Sequence, residues 1–373
     1  MAAELRPESG KPPACPLQGN PMPINPSSGP VAPDARLDAT SDPTVPQDRP
    51  AGAARPRTPP DTGHDLQSLR ARHRNAGHAG AEAPEGRPVS PMKRHRVKLT
   101  GYLLTRTASG QPITDPDSWR MLKDGADSMA ATCQRLWHSN VIPAVEKSGN
   151  ESYIRGAIGQ AIGMAVEATL GPDDRANQKT ATIAAIGQMV GAGGCDSFAA
   201  DVVHEHAGKL RAGERIERVA ATDFHSWAQL HAPGKPDIAL DPWSQDPAML
   251  AEDRTLVAHY LQGHVYNPEK AAQDLALART RVNTPTYHQY AADNLRQQLA
   301  SGVVPPENRL FAPISFVDPA LSARAELALA KLPVQDQLAL AMRVAVEQLG
   351  ASPEAAALAA PDIVAAAKNL HRR

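Results

Sequence analysis

The sequence has few aromatic residues, almost no net charge and no apolar run suited to a membrane. Phe, Trp and Tyr form 4% of its 373 residues and apolar residues form 42%, which is too little for one core extending over the whole chain. Lys and Arg number 39 against 40 Asp and Glu, so overall charge gives no reason to expect nucleic acid as a partner. The uncharged residues 180–195 are too few and too rich in glycine to span a bilayer. We therefore predict no transmembrane segment and no nucleic-acid partner.

Cysteine is also scarce. The three cysteines, Cys15, Cys133 and Cys195, are far apart in the sequence and cannot all pair. This excludes a disulfide framework and favours a reducing compartment. At least one thiol is left for chemistry.

Prolines are concentrated in the first hundred residues, which hold 18 of the 35 and contain no Phe, Trp or Tyr. Such a segment buries too little apolar surface to offset the backbone entropy lost on folding. We predict that residues 1–97 are disordered and that residues 98–373 form one folded domain with its core at about 115–265. No apolar stretch of the Sec type follows Met1, and Ala2 stands where N-myristoylation requires glycine. Neither signal is expected.

Helical patterns dominate the predicted domain. Asp117 is the predicted N-cap of a helix beginning near Ser118, and Asn150 that of a helix over 151–170. Together with the strands described below, these helices indicate an α+β fold. Further helices are predicted over 173–190, 248–261, 269–282, 287–299 and within 318–370.

Cys195 follows a glycine-rich segment and opens a predicted helix. Apolar residues recur after it at helical spacing, so the cysteine faces inward. Unpaired backbone N–H groups and the helix dipole at this position are expected to lower the pKa of the thiol, whereas the charge of Asp196 opposes that shift. The predicted inward stripe consists of Cys195, Phe198, Ala199, Val202 and Val203.

Two alternating segments downstream predict an antiparallel hairpin around Pro233. If the hairpin is symmetric about that residue, His225 lies directly opposite Asp241, with Cβ atoms about 4.5 to 5.5 Å apart. The carboxylate would then orient the imidazole while the imidazole moves a proton.

Gly194-Cys195 at a helix start, followed by His225-Ser226-Trp227 and Asp241-Pro242-Trp243, resembles the core motifs of the transglutaminase-like superfamily of papain-like cysteine enzymes. Together with the helical segment upstream, the chain is similar to the AvrPphE/HopX/XopE family of type III effectors from plant-pathogenic bacteria. An upstream region of unclear chemistry in that family matches residues 137–163.

This resemblance implies a papain/transglutaminase-like core, in which a helix carries the cysteine and antiparallel strands carry the histidine and the aspartate, with supporting helices around it. It assigns Cys195 as nucleophile, His225 as general base and Asp241 as orienting acid, with no cofactor and no metal. It further implies secretion into the host cytoplasm or nucleus, a secretion chaperone, and a host protein as substrate of a protease, a deamidase or a transglutaminase that alters defence.

Other interpretations of these residues are weaker or remain open. His204 and His206 do not share a helix face, which argues against a zinc site. Asn140, Gln160 and Gln188 are unranked candidates for a side chain that binds an oxyanion. The alternative function is a non-enzymatic effector that binds a host protein and carries a vestigial triad.

Overall fold

The computed structural model describes residues 92–221, 225–265 and 267–371. Most of the predicted disordered region, residues 1–91, therefore lies outside the described part of the chain. Helix α1 (Arg94–Ala108) begins before the predicted domain boundary at residue 98. Leu99 and Leu103 are buried in the core, so the basic residues at its start belong to a packed helix.

Helices precede the main sheet. Helix α2 is capped by Asp115, whose Oδ2 atom accepts the Ser118 N–H at 2.9 Å. The cap predicted at Asp117 is wrong, because the helix already begins at Pro116, a residue suited to a first turn. In chain order these elements are α2 (Pro116–Arg135), β1 (His138–Ser139), α3 (Ile142–Lys147), α4 (Glu151–Ala168), α5 (Pro172–Val190), β2 (Ala192–Gly193) and α6 (Cys195–Ala207).

The main sheet is antiparallel and has the strand order β6-β5-β4-β3-β7. Helix α6 packs on one of its faces, where Val202 and Val203 meet Ile216 and Leu230. Burial of Phe198, Ala199, Val202 and Val203 confirms the apolar stripe predicted for this helix. The strands are β3 (Arg215–Ala220), β4 (Ser226–His231), β5 (Ile238–Leu240), β6 (Met249–Leu250) and β7 (Tyr260–Val265).

The helix predicted over residues 248–261 is wrong. Met249 and Leu250 instead pair with Ala239 and Ile238 as strand β6, and a short 3₁₀ turn, Ala251–Asp253, follows. Pairing with β5 buries both side chains, and this tertiary burial outweighs local helix propensity.

Helices form most of the remainder of the described chain and contribute to two cores. Helices α7 and α8 contribute Ala278, Val282 and Leu295 to a core shared with α4 and α5. The last three helices close the larger core against α1 and the sheet. They are α7 (Pro268–Val282), α8 (Pro285–Ala300), α9 (Pro319–Ala330), α10 (Val334–Leu349) and α11 (Pro353–Lys368).

The protein therefore has a mixed α+β fold, as predicted. Within the described part of the chain, no helix combines the length and the apolar character needed to cross a bilayer.

Candidate active site

Cys195 is the first residue of α6, and two short strands position it. Strand β2 leads directly into Gly194 and Cys195, and it pairs in parallel with β1. A Cβ atom on Gly193 would lie 2.6 Å from the Oγ atom of Ser197. Glycine is therefore required where the strand turns into the helix.

The thiol of Cys195 is half-buried in an apolar cluster that includes Phe198, Trp243 and Phe316. Burial is the largest cause of a pKa raised to about 12, and the charge of Asp196 acts in the same direction. Hydrogen bonds from backbone N–H groups, including that of Ser226, act in the opposite direction but are outweighed. The predicted lowering of the pKa is wrong, and the thiol is neutral at pH 7.

The imidazole of His225 and the carboxylate of Asp241 form a buried pair. The Nε2 atom of His225 lies 2.7 Å from Oδ2 of Asp241, and the two residues are 3% and 1% exposed. Asp241 also accepts from Nη2 of Arg254 at 2.9 Å and from the Ser244 N–H at 3.1 Å. Burial alone would raise the pKa of the Asp241 carboxyl, but the charges of His225 and Arg254 lower it well below its ordinary value. The carboxylate is ionised at neutral pH.

The hairpin register differs from the predicted one by two residues. Ala228 pairs with Leu240 and Leu230 with Ile238, so continuation of this ladder places Asp241 opposite Trp227 rather than opposite His225. A shift of two residues keeps every side chain on its face of the sheet. His225 and Asp241 consequently meet as diagonal neighbours on the same face.

Several contacts bring the cysteine and the histidine together. The backbone N–H of Ser226, the residue after His225, donates to the Cys195 sulfur. The centroids of the Trp243 and Phe316 rings lie 5.1 Å and 4.5 Å from that of the His225 ring, and both residues belong to the cluster against which Cys195 packs. The Nδ1 atom of His225 is buried and has no hydrogen-bond partner within the described part of the chain. With Nε2 held by Asp241, Nδ1 is the nitrogen left to accept a proton.

Of the three residues predicted as candidates to bind an oxyanion, Asn140 is the one whose side chain lies next to the Gly194-Cys195 segment. It follows β1, and a Cβ atom on Gly194 would lie 3.7 Å from its Nδ2 atom. Its Oδ1 atom accepts the indole N–H of Trp243 at 2.9 Å, which leaves the amide N–H₂ as the donor. Gln160 is exposed on α4, whereas Gln188 is bonded to Asp201 and Arg279.

Arg218 is a further charged residue at this site, and it was not predicted from the sequence. It lies on β3, is 3% exposed, and its Nη1 atom is 3.4 Å from Oδ1 of Asp196. Ser226 donates its hydroxyl to the same Asp196 oxygen at 2.6 Å. The signal available in the sequence was a charge at an inward position of an alternating strand, between Ile216 and Ala220.

The two histidines weighed above for a zinc site have other partners. His204 is hydrogen-bonded to the Ala200 carbonyl oxygen, and His206 is hydrogen-bonded to the Ser128 hydroxyl in the core. Within the described residues, no group of three His, Cys, Asp or Glu side chains is placed to hold a metal ion.

Comparison of the chain with protein-family models, with curated proteins and with solved structures finds no match.

Proposed function

We propose that the protein is a thiol enzyme that transfers an acyl group through a thioester on Cys195. The observation that carries this proposal is the buried His225–Asp241 pair, with 2.7 Å between Nε2 and Oδ2. The imidazole lies against the rings of Trp243 and Phe316, two members of the apolar cluster against which Cys195 packs. A buried ion-pairing network of this kind next to a thiol has the parts that acyl transfer requires.

In the proposed reaction, Nδ1 of His225 removes the thiol proton as the sulfur attacks the carbonyl carbon of an amide. The backbone N–H of Cys195 and the Nδ2 group of Asn140 stabilise the negative charge on the carbonyl oxygen. Collapse of the tetrahedral intermediate breaks the C–N bond, and the imidazolium returns its proton to the leaving amine. Water or a second amine then releases the acyl group from sulfur.

A neutral resting thiol favours general-base activation over a preformed thiolate–imidazolium pair. The pKa of Cys195 is raised to about 12, mainly by burial. The proton therefore moves during attack, and the free Nδ1 atom of His225 is the group that takes it.

The arrangement of a cysteine at a helix start, followed by antiparallel strands with the histidine and the aspartate, supports a papain/transglutaminase-like core. With the motif resemblance, it leads us to propose a type III effector that acts on a host protein, as a protease, a deamidase or a transglutaminase.

The test uses p-nitrophenyl acetate as a minimal acyl donor. We expect a burst of about one equivalent of p-nitrophenol, with the acetyl group located on Cys195 by peptide mass spectrometry. Cys133→Ala is the matched control and should retain the burst, because the Cys133 thiol donates to the Pro242 carbonyl oxygen at 3.7 Å and lies outside the cluster against which Cys195 packs.

Cys195→Ala should abolish the burst without loss of folding, as judged by the melting temperature. A burst of unchanged size in Cys195→Ala, or acetylation of Cys133 alone, would overturn the proposal. In the host, full biological effect of Cys195→Ala would instead support the non-enzymatic binding function.

A further inference from the structure

A cavity of about 400 Å³ lies beside the candidate site. This volume is in the range of cavities that bind small ligands and short peptide segments. Apolar walls alternate with polar groups around it. The residues that line it include Arg94, Lys98, Ser139, Val141, Trp243 and Asp246.

Trp243 connects this cavity to the reacting groups. Its ring is one wall of the cavity and also lies 5.1 Å from the ring of His225. Ser139, another lining residue, directly precedes Asn140, whose side chain bonds Trp243. In the proposed reaction the leaving amine must receive a proton from His225, so it departs on the side of the imidazole and Trp243. The cavity therefore adjoins the amine side of the scissile bond.

The charge of the cavity is positive. Arg94 and Lys98 lie on one face of α1, and Nζ of Lys98 donates to the backbone oxygen of Gln245 at 2.8 Å. Arg94 is exposed and forms no ion pair within the described part of the chain. Asp246, the one acidic residue among the described residues that line the cavity, is 3% exposed. Its two oxygens accept from the Ser315 hydroxyl at 2.9 Å and from the Phe316 N–H at 2.8 Å. The Asp246 carboxylate is thus buried in the wall of the cavity and hydrogen-bonded there.

We propose that this cavity binds the amine-side segment of the substrate and favours an acidic residue there. The inference rests on the proposed function and specifies its substrate class. A positive mouth attracts a carboxylate and repels a lysine or polyamine acceptor. The cavity should accordingly bind peptides that have an acidic residue after the scissile bond in preference to peptides with a basic residue there.

The experiment compares three alkylating probes on the full-length chain: iodoacetyl-Gly-Glu-amide, iodoacetyl-Gly-Gln-amide and iodoacetyl-Gly-Lys-amide. Each forms a bond from the Cys195 sulfur to its CH₂ group, iodide leaves, and the thiol proton passes to His225. The peptide part then extends from the thiol in the direction of the amine. Rates at Cys195 are measured by peptide mass spectrometry.

We expect the Glu probe to react about threefold faster than the Gln probe, and the Lys probe to be the slowest. Arg94→Glu should reduce the Glu/Gln ratio to about one or below, with an unchanged melting temperature because Arg94 is exposed. Arg343→Glu, at an exposed position on α10, is the matched control and should keep the wild-type ratio.

A ratio of one in the wild type, or a ratio unaffected by Arg94→Glu, would overturn the cavity proposal and leave the proposed function intact, provided that the p-nitrophenol burst occurs. Absence of both the burst and selective alkylation of Cys195 would overturn the two together.

Discussion

The Nη2 atom of Arg254 lies 2.9 Å from Oδ2 of Asp241, the oxygen that also accepts from His225. Both side chains of this ion pair are almost completely buried. The guanidinium group also lies over the rings of Trp227 and Phe316, at 4.7 Å and 5.2 Å from their centroids. The acid of the candidate triad is therefore paired with a fixed charge, which lowers the pKa of Asp241 in addition to the charge of His225.

Removal of the Asp241 carboxylate should strongly destabilise the fold. Asp241→Ala leaves the guanidinium of Arg254 buried without its partner, which costs about 3–5 kcal/mol of the free energy of unfolding. Urea denaturation followed by circular dichroism measures this loss. Asp237→Ala, at a more exposed carboxylate of the same hairpin, should cost less than about 1 kcal/mol. Equal losses in the two variants would contradict the role given to Arg254.

The same carboxylate should contribute to loss of stability in acid. The folded pKa of Asp241 lies below its unfolded value of about 3.9, so its ionised form stabilises the fold above that pH and this contribution is lost as pH falls through the folded pKa. Glu151 acts in the same range, since the hydrogen bond from His138 and the charge of Arg155 outweigh its burial and lower its pKa to about 2. Urea midpoints between pH 5 and pH 2 should therefore fall less steeply in Asp241→Asn than in the wild type. Parallel pH profiles of the two proteins would exclude Asp241 as a source of this dependence.

Asp196→Asn should make the Cys195 thiol more acidic. After burial, the charge of Asp196 is the next largest cause of the raised pKa of that thiol. Neutralising it should lower the pKa of the thiol and increase the iodoacetamide reaction rate at pH 8 by up to about tenfold. His225, Asp241 and Arg218, the other charged or titratable groups nearby, remain in place. The measurement is the pH profile of alkylation at Cys195.

Two further variants test the electrostatic origin of that change. Asp293→Asn, at an exposed position on α8, should leave the profile unchanged. Arg218→Gln should shift it in the opposite direction, because the arginine charge interacts favourably with the thiolate. A common shift for Asp196→Asn and Arg218→Gln would show that disturbed packing, rather than charge, controls the thiol.

Asn140→Ala should slow acyl transfer and spare simple alkylation. Its amide stabilises a carbonyl oxygen only when a tetrahedral intermediate forms, so the rate of the p-nitrophenol burst should fall about 10²-fold. Iodoacetamide forms no such intermediate and should react at the wild-type rate. Gln160→Ala, an exposed position on α4, serves as the control for both assays. Equal slowing of the two reactions in Asn140→Ala would indicate a structural role for this residue.

The sequence carried much of the information on the candidate triad. The glycines before Cys195 predict the helix start, and alternation around His225 and Asp241 predicts two strands with the observed faces. The register estimate was wrong by two residues, and the predicted contact survived because side chains alternate with a period of two.

Other parts of the site could not be predicted because they depend on segments that are distant in the chain. Arg218 and Arg254 reach Asp196 and Asp241 only after β3 and the 3₁₀ turn are packed in place. The cavity beside Trp243 is lined by residues of α1, of the turn after β5 and of the C-terminal helix. No local sequence pattern predicts that these three segments pack together. The strand β6 was missed because its pairing partner, rather than its own composition, determines its conformation.

The parallel pair of strands β1 and β2 fixes the positions of Asn140 and Cys195 relative to each other. His138 and Ser139 align with Ala192 and Gly193, and the residues that follow are Asn140 on one strand and Gly194 on the other. The pair is anchored from behind by the hydrogen bond of His138 to Ser152 and by that of Arg155 to the Val190 oxygen. The proposed nucleophile, Cys195, and the proposed amide donor, Asn140, are therefore held by the same pair of strands, and a displacement of either strand would misalign both side chains at once.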